Sequence, residues 1–131
     1  MSNFHNLNET LAAMAKAAAP DVTAARALTI GDGVIAGVLR TGSDNDNKVG
    51  LHCQPHHEEL ILVLEGEAEF RVGDETRHVR PGDYVFVPRN TIHGTVGATS
   101  KPLSLLSIIT PRIDLARDVT WQGEPLRFQL V

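Results

Sequence analysis

From position 27 to 110 the chain is a succession of short apolar or alternating segments punctuated by Gly, Pro, Asn and Asp. The pattern predicts strands over 27–30, 34–40, 49–54, 59–64, 68–72, 76–79, 84–87, 93–97 and 103–110, with Gly31-Asp32-Gly33, Gly73-Asp74 and Pro81-Gly82-Asp83 among the turns. Short strands at near-regular spacing specify an antiparallel sandwich or small barrel. No helical pattern lies between them, which argues against a parallel α/β sheet. Two kinds of strand stand out. In Glu67-Ala68-Glu69-Phe70-Arg71-Val72 the apolar positions alternate with charged ones, so Glu67 and Glu69 read as a solvated face. Leu60-Ile61-Leu62-Val63-Leu64 is apolar on both faces, the mark of a strand between two layers, and 103–109 is similar, backing the site or forming a subunit interface. Phe86 on the 84–87 strand is read as core.

Before the strands, residues 8–19 are alanine-rich and end at Pro20, with Asn6 and Asn8 available as caps. They predict a helix with a narrow apolar stripe at Leu7, Leu11 and Met14, packed outside a barrel or on a partner subunit. Residues 111–131 carry Trp121 and Phe128, and read as a tail docked on the barrel's outside or on a neighbouring subunit. The expected organisation is one domain: a helical extension over 1–26, a β-barrel over 27–110 and a tail over 111–131.

Composition narrows the partners. With 131 residues, 42% hydrophobic and 21% charged, the chain can bury one real core. A net charge of −4 without any basic run speaks against nucleic acid and anionic membrane. The opening residues lack a signal-peptide plan, so a cytoplasmic protein is expected. A single cysteine leaves no internal disulfide.

The candidate chemistry lies around Gly50-Leu51-His52-Cys53-Gln54-Pro55-His56-His57-Glu58-Glu59. Alternation puts His52 and Gln54 on one side of a strand. A turn at Pro55 can return Glu59 to the same spot, and His93 arrives from a later strand. Two imidazoles, a carboxylate and an amide oxygen make a candidate site for one divalent metal. His57, two residues before Glu59, is the alternative to Gln54 as fourth ligand, and otherwise a polar turn residue. Cys53 should face away as an inert buried thiol, and Asp44-Asn45-Asp46-Asn47 is a polar loop rather than a calcium loop.

These stretches resemble the two motifs of the cupin family. In the first, His52, Gln54 in place of a second histidine, Glu59 and Gly66 fall in register, while Gly50 stands too close to His52 for the leading glycine. In the second, Gly82, Pro88 and His93 match, with Asn90 and Gly97 in place of Gly and Asn; Asn tolerates the left-handed backbone a turn glycine adopts. The resemblance implies an all-β fold, a double-stranded β-helix or jelly-roll barrel with a short N-terminal α-helix. It also implies a metal (Fe, Mn, Zn or Ni) on His52, Gln54, Glu59 and His93, and an enzyme of dioxygenase, isomerase, lyase or decarboxylase type acting on a small oxygenated molecule. Tyr84 and His57 are the candidate acid–base residues. The alternative is a non-catalytic cupin that binds a small ligand or metal. A homodimer is expected because the extra helix and aromatic tail need covering. Metal affinity should fall as pH drops through about 6.5, the ordinary histidine value.

Overall fold

The computed structural model describes residues 2–42, 49–99 and 102–131. The Asp44-Asn45-Asp46-Asn47 loop lies outside the described residues. Helix α1 spans Leu7–Ala17. Eleven strands follow among the described residues: β1 Ala24–Ile30, β2 Ile35–Arg40, β3 His52–Cys53, β4 Glu58–Glu65, β5 Ala68–Val72, β6 Glu75–Val79, β7 Tyr84–Val87, β8 His93–Thr99, β9 Ser104–Thr110, β10 Thr120–Trp121 and β11 Gln129–Leu130. They form a six-stranded sheet in the order β11-β1-β2-β9-β4-β7 and a five-stranded sheet in the order β10-β3-β8-β5-β6. This is an all-β jelly-roll barrel with one short helix. No helix among the described residues is long and apolar enough to cross a membrane.

The two sheets face each other across a core of Val49, Ile61, Val63, Ala68, Phe70, Val79, Val87, Leu103 and Leu105. Period-2 alternation explains the membership: Ala68 and Phe70 are 1% and 4% exposed while Glu69 between them points outward. Where the chain must pass close to another segment, glycine is required. A Cβ on Gly94 of β8 would stand 2.7 Å from the carbonyl oxygens of both Val49 and Gly50, so only glycine lets the stretch leading into β3 cross there. Asn90 has φ 58°, the left-handed conformation expected of it at the turn before β8.

Helix α1 starts at Asn6, whose side chain accepts a hydrogen bond from the Glu9 amide at 3.0 Å. Its stripe lies on the outside of the six-stranded sheet: Met14 is fully buried with Ala24, Leu28 and Val38, flanked by Leu7, Leu11, Leu64 and Leu106. This corrects the two-layer reading of β4. Its inward residues Glu59, Ile61 and Val63 are buried, but of the outward ones only Leu64 reaches the helix cluster. Leu60 and Leu62 lie half-buried beside Phe86 and Tyr84, their register partners on β7. Phe86 is 50% exposed and so is not core. A strand with apolar residues on both sides does not reveal which side is covered.

The segment after position 110 also differs from the expected tail. Its β10 pairs with β3, Trp121 opposite His52, and its β11 pairs in parallel with β1. This final segment thus adds an edge to each sheet, and β1 starts at Ala24, ahead of the boundary expected at 27.

Candidate metal centre

Both sheets contribute to the site. His52 on β3 and His93 on β8 are direct register partners in the five-stranded sheet, with ring centroids 4.2 Å apart. Glu59 projects from β4 of the opposite sheet. Facing sheets are about 10 Å apart, a gap that two long side chains can bridge from either side. The ligand atoms of His52, Glu59 and His93 all lie within 4.8 Å of one another, and all three residues are buried.

The tautomers are arranged by the backbone. His52 Nδ1 donates to the Gly50 carbonyl at 2.7 Å, and His93 Nδ1 donates to the Thr91 carbonyl at 2.9 Å. Each ring spends its Nδ1–H on the carbonyl two residues earlier, which leaves Nε2 as the coordinating nitrogen. His93 Nε2 stands 3.1 Å from Glu59 Oε1, so a proton or a cation can join them. Burial and the neighbouring His93 hold the His52 pKa down to about 4, against the Gly50 hydrogen bond and the Glu59 charge, which raise it. For Glu59, burial favours the neutral acid, but His93, the Ser107 hydroxyl and His52 together outweigh it and keep the pKa below the ordinary value. Trp121 covers one side, its ring 4.5 Å from that of His52.

Gln54 is 3% exposed, and its Oε1 has no hydrogen-bond partner among the described residues. A buried amide oxygen left unpaired costs about 1–3 kcal/mol, and a cation would satisfy it. An amide oxygen, two imidazole nitrogens and a carboxylate would suit a borderline or hard divalent ion. His57 is also buried, at 6% exposure, but it is not part of the group whose ligand atoms converge within 4.8 Å. That weighs against His57 as the ligand in place of Gln54. Tyr84 is removed from the site altogether: Glu59 is in register with Val87, so Tyr84 points to the other side of β7, where it is 71% exposed. Cys53 is half-buried rather than buried, and its thiol donates to Asn90 Oδ1 at 3.2 Å. A groove of about 480 Å³ between the β6 and β7 edges, floored by Phe70, Val72 and Val79, includes none of the metal-site residues. Two contributors had no signal in the sequence. Trp121 belongs to a two-residue strand, too short to show a period, and Asp118 lies in an irregular loop.

The fold and this buried histidine–carboxylate group define a jelly-roll protein with a candidate metal site between its sheets. A cupin-domain family profile matches residues 44–109, half of the chain. The chain belongs to the cupin family. No curated protein sequence matches it. Among solved structures, the protein TT1209 from Thermus thermophilus superimposes with a TM-score of 0.69 at 22% identity, over 86% of this chain and 100% of that one. The DMSP lyase DddQ from Ruegeria pomeroyi gives 0.61 at 29% identity, over 79% of this chain and 55% of that one. The nucleoside dehydratase Pac13 from Streptomyces gives 0.57 at 14% identity, over 74% of each.

Proposed function

We propose that this cupin is a metal-dependent enzyme acting on a small oxygenated molecule, with the ion held by His52, Glu59, His93 and Gln54. One observation carries the reading: two imidazoles with Nδ1 committed to backbone carbonyls converge within 4.8 Å of a carboxylate whose pKa is lowered, and Gln54, two residues from His52, has a buried amide oxygen without a partner among the described residues. When bound, a divalent ion supplies Lewis acidity to an oxygen of the ligand. The chain's own part is positional. His52 and His93 stay fixed by β3 and β8, Ser107 holds Glu59, and Trp121 shields the His52 ring from water. A lyase and a dehydratase among proteins of similar fold are compatible with an elimination on an oxygenated substrate. The test is metal analysis of the purified protein with titration of the stripped chain. A wild-type chain that takes up no iron, manganese, zinc or nickel sinks the reading.

The helix and tail, on which the expected homodimer rested, pack against this chain's own sheets; we propose the homodimer instead on the outward face of β4 and β7, where Leu60, Leu62, Tyr84 and Phe86 form an apolar strip between Glu58 and Glu65. Light scattering should give a mass near twice 14.2 kDa.

A further inference from the structure

Two residues before Glu59 the structure buries a second polar atom with no hydrogen-bond partner among the described residues. His57 sits between the Gln54 turn and the start of β4, its amide donating to the Gln54 carbonyl at 3.4 Å. It immediately precedes β4, two residues before Glu59. It is 6% exposed, and Nδ1 has no hydrogen-bond partner among the described residues. Nε2 faces Asp118 Oδ2 at 4.0 Å. Asp118 is itself held in place: its Oδ2 accepts from the Asp114 amide at 2.9 Å and its Oδ1 from Arg117 Nε at 3.1 Å. The Arg117 hydrogen bond, followed by the backbone contact with Asp114, keeps this carboxyl below its ordinary pKa and so anionic. An anion on the Nε2 side favours the tautomer with the proton there, leaving the Nδ1 lone pair pointing away from Asp118.

A buried acceptor without a donor is costly unless something else supplies the donor. No described donor reaches it: Gln54 Oε1 and the Glu59 carboxylate are acceptors, the His52 Nδ1–H is committed to Gly50, and no hydrogen bond joins the Gln54 NH2 to His57 Nδ1. We propose that His57 Nδ1 is a recognition group of the site, accepting a hydrogen bond from a hydroxyl of the small molecule held beside Glu59. Asp118 is a positioning residue that acts through the His57 ring. The inference rests on the metal-dependent reading and deepens it: the preferred ligand carries a free hydroxyl next to its metal-binding oxygen.

Lactate and pyruvate test this as probes, because both offer a carboxylate and an adjacent oxygen to an ion, and only lactate has an O–H to donate. Calorimetric titration of the Mn2+-loaded wild-type protein should show lactate binding roughly three- to tenfold tighter than pyruvate, the range of one buried hydrogen bond. His57→Leu should keep Mn2+ and lose that preference. His57→Asn, whose Oδ1 takes the place of Nδ1, should retain it. Asp118→Asn should reduce the preference for lactate and leave pyruvate binding unchanged. Lactate no tighter than pyruvate in the wild type, or a preference surviving His57→Leu, overturns the inference and leaves the metal reading standing. Loss of Mn2+ in His57→Leu overturns it too, by making His57 a ligand. A wild-type chain that takes no metal removes both readings together.

Discussion

A histidine–carboxylate cluster lies against each face of the five-stranded sheet, the inner one completed by Glu59 of the opposite sheet, and only the inner one has the makings of a site. Outside, His78 on β6 is gripped on both ring nitrogens, by Glu67 at 2.7 Å and Glu69 at 3.0 Å. Inside, His93 Nε2 stands 3.1 Å from Glu59 Oε1, and His52 has a ring nitrogen within 4.8 Å of both. The residue types are the same. On the outer face the side chains of His78, Glu67 and Glu69 are 53%, 54% and 41% exposed, so water solvates whatever the cluster leaves unpaired. Each nitrogen already has an acceptor, and an imidazolium there offsets one of the two carboxylate charges. On the inner face backbone carbonyls hold both Nδ1 atoms, His93 Nε2 turns to Glu59, and the buried Gln54 oxygen has no partner among the described residues. What distinguishes a binding site from an ion pair is unmet demand under burial.

The largest effect that can break this comparison is removal of a ligand. Glu59→Gln or His93→Ala should lower metal affinity more than about a hundredfold, beyond the 10- to 100-fold typical of groups that only support a ligand. Glu67→Gln with Glu69→Gln should leave it unchanged. Metal titration of the three proteins decides, and equal losses inside and outside would erase the distinction.

Gln54 should show a smaller effect. Gln54→Ala should cost about tenfold, less than His93→Ala, because an amide oxygen is the weaker donor. Gln54→His should raise affinity for zinc, nickel and copper, ions that imidazole suits. No change in either variant would mean that its orphaned oxygen is satisfied by something other than the ion.

The two faces should also titrate in opposite directions. His52, held near 4, is neutral in the folded metal-free chain between that value and the ordinary 6.5, whereas the unfolded chain binds a proton there. Stability therefore rises with pH across this window and falls, by about 3 kcal/mol at most, as pH drops from 6.5 to 4. His52 is thus ready to coordinate well below 6.5, so the loss of affinity on acidification that its protonation brings comes nearer pH 4 than the unperturbed value indicates. Denaturant melts and metal titrations at pH 7, 5.5 and 4.5 check both statements. A His52 resonance titrating at 6.5 would contradict them.

The smallest effect belongs to the outer cluster. Hydrogen bonds from Glu67 and then Glu69 raise the His78 pKa above the ordinary 6.5. Its contribution is present at lower pH and fades as pH rises through that raised value. NMR titration of Glu67→Gln should bring the His78 midpoint back toward 6.5 with no detectable change in melting temperature, since exposed ion pairs contribute little.

Much of this molecule can be read from its residues alone, and the reason is locality. Short apolar or alternating runs bounded by turn residues placed β4, β5, β7 and β9, and alternation assigned Glu67 and Glu69 to a solvated face. Asn6 and the Leu7-Leu11-Met14 spacing marked α1, and a motif pattern singled out His52, Glu59 and His93. These are properties of neighbouring positions, where geometry is set by the backbone period. The rest required the assembled fold. No period exists in a two-residue strand, so Trp121 against His52 and the pairing of β11 with β1 were invisible. A strand apolar on both sides does not say which side is covered, and the six-stranded sheet alone turned Tyr84 and Phe86 outward. Asp118 reaches His57 from far along the chain, through a loop with no pattern of its own. Sequence determined which groups could serve a metal; the facing of two sheets decided which of them were left buried, unpaired and close enough to do so.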